Sequence, residues 1–312
     1  MRIALWVVGA LLLLLLAVSG YFFKFVITRE SIRLKSKDFF NGASPWAKYQ
    51  AAVDEGAAWL RAAEKEDVWL DSFDGLRLHA YFLPAAGRAK RAVLCAHGYR
   101  GSYDYDFSGA ARWLHENGCD LLLIDERAHG RSEGHYICYG AKERFDVRDW
   151  ANWLDKRYDG ALPVYLDGLS MGAATVLMAS GLVLPGSVRG IVADCGFTSP
   201  RAIFEHNIRS LYHLPVYPLL WFFGLYCRVF AKFGLGDAST LDALRVNTRP
   251  VLLVHGGADN FVPTRMSREN YDACTAPKEL YIVEGVGHAA SYPEDPKTYQ
   301  EKVLALFGRC EG

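Results

Sequence analysis

The sequence has no excess of either charge sign. Its 312 residues include 35 Lys and Arg and 35 Asp and Glu, so the formal net charge at pH 7 is zero with His neutral. No stretch after the first forty residues is strongly basic, and nucleic-acid binding therefore has no electrostatic support. Internal repeats are absent, and a leucine run is the one low-complexity tract. Hydrophobic residues make up 51% of the chain, which is enough for the core of one large domain.

Cysteine pairs of the kind that bind zinc or exchange disulfides are also missing. The chain has seven cysteines and no Cys-x-x-Cys motif, so zinc and thioredoxin-type redox sites are not indicated. The count is odd, and Cys95 and Cys195 lie in apolar runs where cysteine behaves as a small hydrophobe. We interpret the thiols as reduced and the large domain as cytoplasmic, and we expect no metal or organic cofactor.

One hydrophobic run is long enough to cross a membrane. Residues 3–23 carry no charge and include six consecutive leucines, from Leu11 to Leu16. At about 1.5 Å per residue the run spans roughly 30 Å, the thickness of the hydrocarbon core. Trp6 and the aromatic run from Tyr21 to Phe23 stand where interfacial aromatics are common. The pattern predicts a transmembrane anchor over residues 3–23.

A cleaved signal peptide is the alternative for this segment. Ala17-Val18-Ser19 resembles a small-residue cleavage site, but the apolar run is long for a signal core and continues through Phe23. The positive-inside rule orients the large domain toward the cytoplasm, although an extracytoplasmic orientation stays open. The basic residues that follow the run are Lys24, Arg29, Arg33, Lys35 and Lys37.

Strand and helix patterns alternate through the rest of the chain. Residues 24–66 form a polar connector and then a helix, which is predicted to begin at Ser44-Pro45 and to end near Glu64. Alternating residues on either side of Asp74-Gly75 predict a β-hairpin. Six further strands are predicted, at Ala92–His97, Leu121–Asp125, Val164–Asp167, Arg189–Asp194, Pro250–His255 and Leu280–Glu284.

Helical spacing separates most of these strands. The clearest helices are predicted at about Phe107–Asn117, Lys142–Tyr158 and Pro296–Phe307. Strands alternating with helices predict an α/β domain over residues 67–309, with a mostly parallel sheet covered on both faces. Residues 197–245 interrupt the alternation and are rich in aromatic residues. We interpret them as a short helical cap over the carboxyl edge of the sheet.

The most informative motif is Gly168-Leu169-Ser170-Met171-Gly172. It follows an apolar strand and precedes a helix-forming run, which is the pattern of a nucleophile elbow. The turn crowds its own backbone, so glycines are expected two residues on either side of Ser170. A serine at a helix N-terminus is placed where backbone N–H groups favour negative charge.

A serine nucleophile needs a general base and an acid that orients it. His288 follows the last predicted strand and is the best candidate for the base. Asp259 follows a buried strand, in His255-Gly256-Gly257-Ala258-Asp259, and is the candidate acid. The order Ser170, Asp259, His288 is that of the α/β hydrolases. Asp194, at the end of the preceding strand, is the alternative acid.

The oxyanion of an acyl-transfer reaction needs two N–H donors. The backbone N–H of Met171 is one candidate, and the N–H of Tyr99 in His97-Gly98-Tyr99 is the other. His97 and His129 are interpreted as residues that brace their turns rather than as bases.

These motifs together resemble the α/β-hydrolase superfamily, and within it the small-cap esterases, monoglyceride lipases and serine aminopeptidases. The resemblance rests on five segments: His97–Tyr99, Asp125–Ser132, Gly168–Gly172, His255–Pro263 and Gly287–His288. It is similar in particular to membrane-anchored bacterial hydrolases. The resemblance implies a doubly covered sheet with a Ser-His-Asp triad, and a serine in the elbow argues against the dehalogenases.

The predicted function is hydrolysis of carboxylic esters through an acyl-enzyme, with a small acyl compound as substrate and the membrane as partner. Lipid-derived or medium acyl chains are favoured because the cap is apolar. Two alternatives stay open. One is a peptidase or amidase of the same mechanism, for which Glu205 could bind a peptide terminus, and the other is a binding protein without turnover. The oligomeric state is not predicted.

Overall fold

The computed structural model describes residues 2–29 and 46–311. Within these residues an eight-stranded sheet forms the centre of the molecule, in the order β1-β2-β4-β3-β5-β6-β7-β8. The antiparallel hairpin at one edge leads into strands that run parallel from β3 to β8. The strands are β1 Glu66–Asp71, β2 Arg77–Leu83, β3 Arg91–Ala96, β4 Cys119–Ile124, β5 Val164–Leu169, β6 Val188–Asp194, β7 Val251–Gly256 and β8 Lys278–Val283.

Helices cover both faces of this sheet. The α-helices of the described residues are α1 Arg2–Ile27, α2 Gln50–Ala62, α3 Tyr103–Asp106, α4 Ala110–Glu116, α5 Glu143–Arg157, α6 Met171–Ala179, α7 Pro200–Ser210, α8 Leu219–Tyr226, α9 Thr240–Val246, α10 Arg265–Ala273, α11 Ser291–Glu294 and α12 Pro296–Glu311.

Each central strand is buried on both faces. In β3, Leu94 packs in a cluster with Trp150 of α5 and Leu177 of α6. Its neighbour Val93 points to the other face, where it packs in a cluster with Leu306 of α12. Successive side chains of a strand point to opposite faces, so the continuous apolar runs of the sequence follow from helices on both sides. The predicted α/β-hydrolase fold is confirmed.

Several helices differ from the predicted ones. The helix expected over about Phe107–Asn117 begins at Ala110 and follows the separate short helix α3. A Cβ at Gly56 of α2 would lie 2.1 Å from the carbonyl oxygen of Ser108, so α2 packs directly on the break. Helix α10 was not predicted. The α-helical part of the connector begins at Gln50, and the predicted cap at Ser44-Pro45 lies outside the described residues.

The aromatic segment between β6 and β7 folds as a helical cap. It contains α7, α8, a π-helical turn at Cys227–Ala231 and α9. The inner side of the cap contributes Phe204, Phe223 and Phe233 to a buried cluster with Met171 of α6. Because Met171 follows Ser170, the cap lies next to the turn that carries the serine.

Helix α1 is long, apolar and largely exposed. The stretch from Leu5 to Ile27 is long and apolar enough to span a membrane, and little of it is buried in the fold. Its last turns nevertheless contact the rest of the fold. The N–H of Ile137 donates to the carbonyl of Ile27 over 2.7 Å, and Arg29 donates to the Gly130 carbonyl over 2.6 Å.

Candidate active site

The Ser170 turn is a sharp elbow between β5 and α6. Ser170 has a φ of 56° and a ψ of −111°, a strained conformation for a residue with a side chain. A Cβ at Gly168 would lie 2.4 Å from the Gly172 carbonyl carbon, and one at Gly172 would lie 1.9 Å from the Ala96 oxygen. Only glycine fits at either position. The N–H of Ser170 donates to the Asp194 carbonyl over 2.8 Å, which fixes the turn to β6.

The structure brings the three predicted site residues together. The Oγ atom of Ser170 lies 2.9 Å from Nε2 of His288. The other ring nitrogen of His288, Nδ1, lies 2.7 Å from Oδ2 of Asp259. The imidazole is partly exposed and the Asp259 side chain is fully buried. Serine, imidazole and carboxylate thus form one continuous chain of contacts, in which the imidazole is the most exposed member.

Asp259 is held in its turn and kept ionised by its neighbours. Its Oδ1 accepts the backbone N–H groups of Phe261 and Val262, each over 2.9 Å. Burial alone would raise the pKa of this carboxyl, but hydrogen bonds from His255 and His288 outweigh burial and hold it well below its usual value. A carboxylate that stays charged can stabilise a protonated imidazole.

His255 contacts Asp259 and was not predicted as a site residue. It is fully buried at the end of β7, and its Nε2 lies 3.2 Å from Oδ2 of Asp259 and 2.9 Å from the Val262 carbonyl. Its Nδ1 faces the Ser267 hydroxyl at 2.6 Å. His255 therefore supports the acid from the side opposite His288. His255 and Asp259 lie four residues apart across a tight turn, and this spacing was the one sequence signal that could have predicted their contact.

The alternative acid faces elsewhere. The Asp194 carboxyl accepts the Ser291 hydroxyl over 3.1 Å rather than a ring nitrogen of His288. Burial raises the pKa of Asp194 to about 6, and burial beside Asp194 raises the pKa of Asp167 to about 7. Both carboxyls line a cavity of about 870 Å³ between α2 and the sheet edge, and its lining does not include Ser170, His288 or Asp259. Asp259 is accordingly the carboxylate that orients the imidazole.

The loop with the Tyr99 N–H passes beside Ser170. A Cβ at Gly98 would lie 3.3 Å from Cβ of Ser170. The N–H of Gly98 donates to Asp106 over 2.7 Å, and the N–H of Arg100 donates to His129 over 3.1 Å. The loop is thus held on both sides of the Tyr99 N–H. The other candidate donor, Met171, is the first residue of α6, where N–H groups point away from the helix.

His97 and His129 hold turns together. The rings lie 4.8 Å apart and edge-to-face. His97 faces the Gly98 carbonyl at 2.8 Å and accepts the N–H of Glu126 over 3.1 Å. Neither contact involves Ser170, so both side chains connect the β3 loop to the β4 loop.

Aromatic side chains lead from the Tyr99 loop into the cap. The ring of Tyr99 lies 5.2 Å from that of Tyr139, Tyr139 lies 4.5 Å from Phe204, and Phe204 lies 4.8 Å from Phe223. We call these four residues the aromatic wall. Glu205 is the candidate partner for a peptide terminus. Its carboxylate accepts a hydrogen bond from the Tyr217 hydroxyl over 2.7 Å, so Tyr217 already occupies it.

One group of side chains has the spacing of a metal site in the described part of the chain. It comprises Cys195, Asp259 and His288, with donor atoms within 4.8 Å of one another. Burial raises the pKa of the Cys195 thiol well above its usual value, and a protonated thiol is a poor ligand. The other two members are the hydrogen-bonded imidazole and carboxylate. The group therefore fits proton transfer better than metal binding.

Known proteins share this fold. Residues 87–228 match a family model described as serine aminopeptidase, S33. The esterase Pf2001 of Pyrococcus furiosus superposes with a TM-score of 0.65 at 22% sequence identity, over 80% of this chain and 93% of the esterase. The chain has the α/β-hydrolase fold.

Sequence relatives of this chain occur among bacterial proteins. YqkD of Bacillus subtilis is 29% identical over 186 residues, which is 60% of this chain and 61% of YqkD. The chain therefore matches less than two thirds of the length of YqkD. YfhR of Salmonella typhi is 28% identical over 238 residues, or 72% of this chain and 74% of YfhR. Both relatives are named as uncharacterized proteins. A shared fold does not determine the reaction, which depends on the residues of the site.

Proposed function

We propose that this protein is a serine hydrolase of carboxylic esters, anchored in a membrane by α1. The observation that carries the proposal is the chain of contacts from Ser170 through His288 to Asp259, at 2.9 and 2.7 Å. A serine hydroxyl within hydrogen-bond reach of an imidazole that a carboxylate orients is the arrangement that activates serine for acyl transfer.

The reaction has two displacements. Ser170 Oγ attacks the acyl carbonyl while His288 Nε2 takes the hydroxyl proton, and the N–H groups of Tyr99 and Met171 stabilise the oxyanion. His288 then protonates the leaving alcohol. Water, deprotonated by His288, attacks the acyl-enzyme and releases the carboxylic acid and Ser170. Asp259 remains ionised throughout and stabilises the imidazolium.

The site favours an ester with an apolar acyl group. The aromatic wall makes the surroundings of the Tyr99 loop apolar. A peptidase that recognises a peptide terminus needs a charged or polar partner for it, and Glu205 is already bound by Tyr217. Ester hydrolysis is therefore proposed ahead of the peptidase and amidase alternative.

The cytoplasmic side is proposed for the catalytic domain. All seven cysteines are free, and six of them are buried, which fits a reducing compartment. The basic residues that follow α1 point the same way.

An acyl-chain series tests the proposal on the detergent-solubilised full chain. We expect hydrolysis of p-nitrophenyl esters from acetate to laurate, with kcat/KM at least about a hundredfold above that for aminoacyl p-nitroanilides. Ser170→Ala in the same detergent is the matched control. Hydrolysis of the anilides with no turnover of any ester would replace the esterase proposal with the peptidase. No turnover of either class would favour a binding protein.

A further inference from the structure

The cap is packed along the second half of α1. The hydroxyl of Tyr226 donates to the Leu16 carbonyl over 3.2 Å, and the hydroxyl of Ser19 donates to the Leu219 carbonyl over 3.4 Å. Further along, the ring of Phe23 lies 5.8 Å from Tyr226 and 5.9 Å from Phe230. Residues 16–23 of the uncharged run therefore lie beside α8 and the π-helical turn.

The part of α1 that extends beyond the cap is too short to cross a bilayer. Residues 3–15 are about 13 residues, or roughly 20 Å of helix at about 1.5 Å per residue. The hydrocarbon core is about 30 Å thick. A spanning helix therefore needs roughly 10 Å more, which only residues 16–23 can supply. Since these residues carry the cap, a spanning α1 draws the cap into the hydrocarbon.

The outer side of the cap matches this environment. Trp221, Leu225 and Val229 recur every fourth residue and expose 66, 52 and 48% of their surfaces, and Phe230 beside them exposes 51%. We call these four residues the cap surface. Side chains four apart share one face of a helix. A contiguous apolar face of this kind is uncommon on a soluble protein and is typical of helices that lie in a membrane interface.

Basic residues border the cap surface. Arg228 and Lys232, in and directly after the π-helical turn, are exposed, and the side chain of Arg228 is 71% exposed despite a contact of 3.6 Å with Asp237. Long cationic side chains can keep their charge at the headgroup level while their stems lie along apolar surface. Such a border favours a bilayer over an apolar protein partner.

The same contacts connect the membrane segment to the site. The Tyr99 hydroxyl donates to the Val26 carbonyl of α1 over 2.8 Å. The Arg100 guanidinium lies 4.9 Å from the centre of the Phe25 ring. The loop with the candidate oxyanion donor thus rests on the end of α1, and the aromatic wall runs from this loop to Phe223 on the inner side of α8.

We propose that the cap surface is immersed in the leaflet that α1 leaves, and that the site takes its acyl ester from that leaflet. The substrate class is then an acyl ester of a membrane lipid. The immersion rests on α1 spanning the bilayer, and the substrate class rests on the proposed ester hydrolysis.

Depth-dependent quenching tests the immersion. A thiol-reactive fluorophore is attached to the full chain at Leu225→Cys, in a Cys310→Ser background, and the protein is reconstituted in phosphatidylcholine–phosphatidylglycerol vesicles. The control label is at Val183→Cys, which is 92% exposed in the loop between α6 and β6. Lipids brominated in mid-chain should quench the Leu225 label and leave the Val183 label unchanged. Equal quenching at the two positions would overturn the proposal.

A second copy of the chain on the cap surface would give a different result. The Leu225 label would then be shielded from water without being quenched by brominated lipids, and this outcome also overturns the proposal. Because Leu225 is exposed and cysteine is neutral, we expect Leu225→Cys to leave the core packing and the fold unchanged.

Kinetics test the substrate class separately. Leu225→Glu with Val229→Glu should lower turnover of a vesicle-held monoacylglycerol at least about tenfold and leave hydrolysis of p-nitrophenyl acetate in detergent unchanged, since charge opposes burial in lipid. The control pair is Val183→Glu with Val246→Glu, which lie in the loop after α6 and at the end of α9 and do not belong to the cap surface. Unchanged monoacylglycerol turnover in the cap variant would refute delivery from the bilayer. Quenching without any Ser170-dependent turnover would refute the enzyme proposal and leave the immersion standing.

Discussion

Two histidine–carboxylate pairs occupy different regions of this molecule. At the carboxyl edge of the parallel strands, His288 Nδ1 lies 2.7 Å from Asp259. At the antiparallel hairpin, His79 Nδ1 lies 2.8 Å from Asp125. Each carboxylate also holds its own turn, since Asp259 accepts the N–H of Val262 and Asp125 accepts the N–H of Arg131. By the inner contacts alone the two pairs look equivalent.

The outer nitrogen of each ring separates them. Nε2 of His79 lies 2.9 Å from a second carboxylate, Asp67, and the ring is fully buried. Nε2 of His288 lies 2.9 Å from a serine hydroxyl, and its side chain is 23% exposed. A proton can be exchanged with a substrate only at the second ring. The pair at the hairpin fastens β2 to the β4 loop, and the pair at the carboxyl edge is the proposed catalytic pair.

Removing the hydroxyl should have the largest effect. Ser170→Ala is expected to lower kcat for the best ester by about 10⁴-fold or more, because the nucleophile is lost while the fold is kept. Steady-state kinetics and the unfolding midpoint of the same preparation measure the two effects. Residual turnover within tenfold of the wild type would contradict the role of Ser170.

Replacing the acid should come next. Asp259→Asn is expected to lower kcat by about 10⁴-fold, since an amide cannot hold the imidazole in the required tautomer or stabilise its cation. Asp194→Asn is the matched control and should change kcat less than about tenfold. If the Asp194 variant lost as much activity as the Asp259 variant, the assignment of the acid would be wrong.

The hairpin pair should respond in stability rather than in activity. His79→Ala leaves Asp125 buried without its imidazole, which is expected to cost about 3 kcal/mol in the free energy of unfolding. Its kcat below the unfolding midpoint should stay near that of the wild type. His288→Ala should show the reverse pattern, and denaturant unfolding beside ester kinetics distinguishes the two. A catalytic loss in folded His79→Ala would remove the contrast between the pairs.

The buried acids behind the elbow should give the smallest effect. Burial beside Asp194 raises the pKa of Asp167 from 3.8 to about 7, so the folded protein binds an extra proton between these pH values and loses stability as the pH rises through them. Asp167→Asn should therefore unfold at nearly the wild-type midpoint at pH 4 and be more stable by about 1 to 3 kcal/mol at pH 8. A gain that is the same at both pH values would contradict the raised pKa.

Much of the fold could be predicted because local pattern and tertiary context agree. Strands such as β3 and β5 are short apolar runs followed by turn signals, and their burial on both faces explains the lack of alternation. The short helix α3 and the late start of α4 could not be predicted, because the break depends on close packing of Gly56 against Ser108. That contact joins α2 to the turn between α3 and α4, which is distant in the sequence.

The candidate site was predictable to a similar degree. Ser170, Asp259 and His288 each follow a strand, and the carboxyl ends of parallel strands meet at one edge. The contact of His255 with Asp259 was missed because a histidine inside a buried strand resembles core packing. The contact of Tyr99 with Val26 depends on how α1 docks on the fold, and no local pattern encodes it.

The central claim is that Ser170 is activated by His288. Labelling of the full chain in detergent with a fluorophosphonate probe, followed by peptide mass spectrometry, tests it most directly. The account predicts one modified residue, Ser170, with labelling lost in Ser170→Ala and His288→Ala and retained in His79→Ala. A folded wild-type protein that is not labelled, or that is labelled equally in His288→Ala, would contradict it.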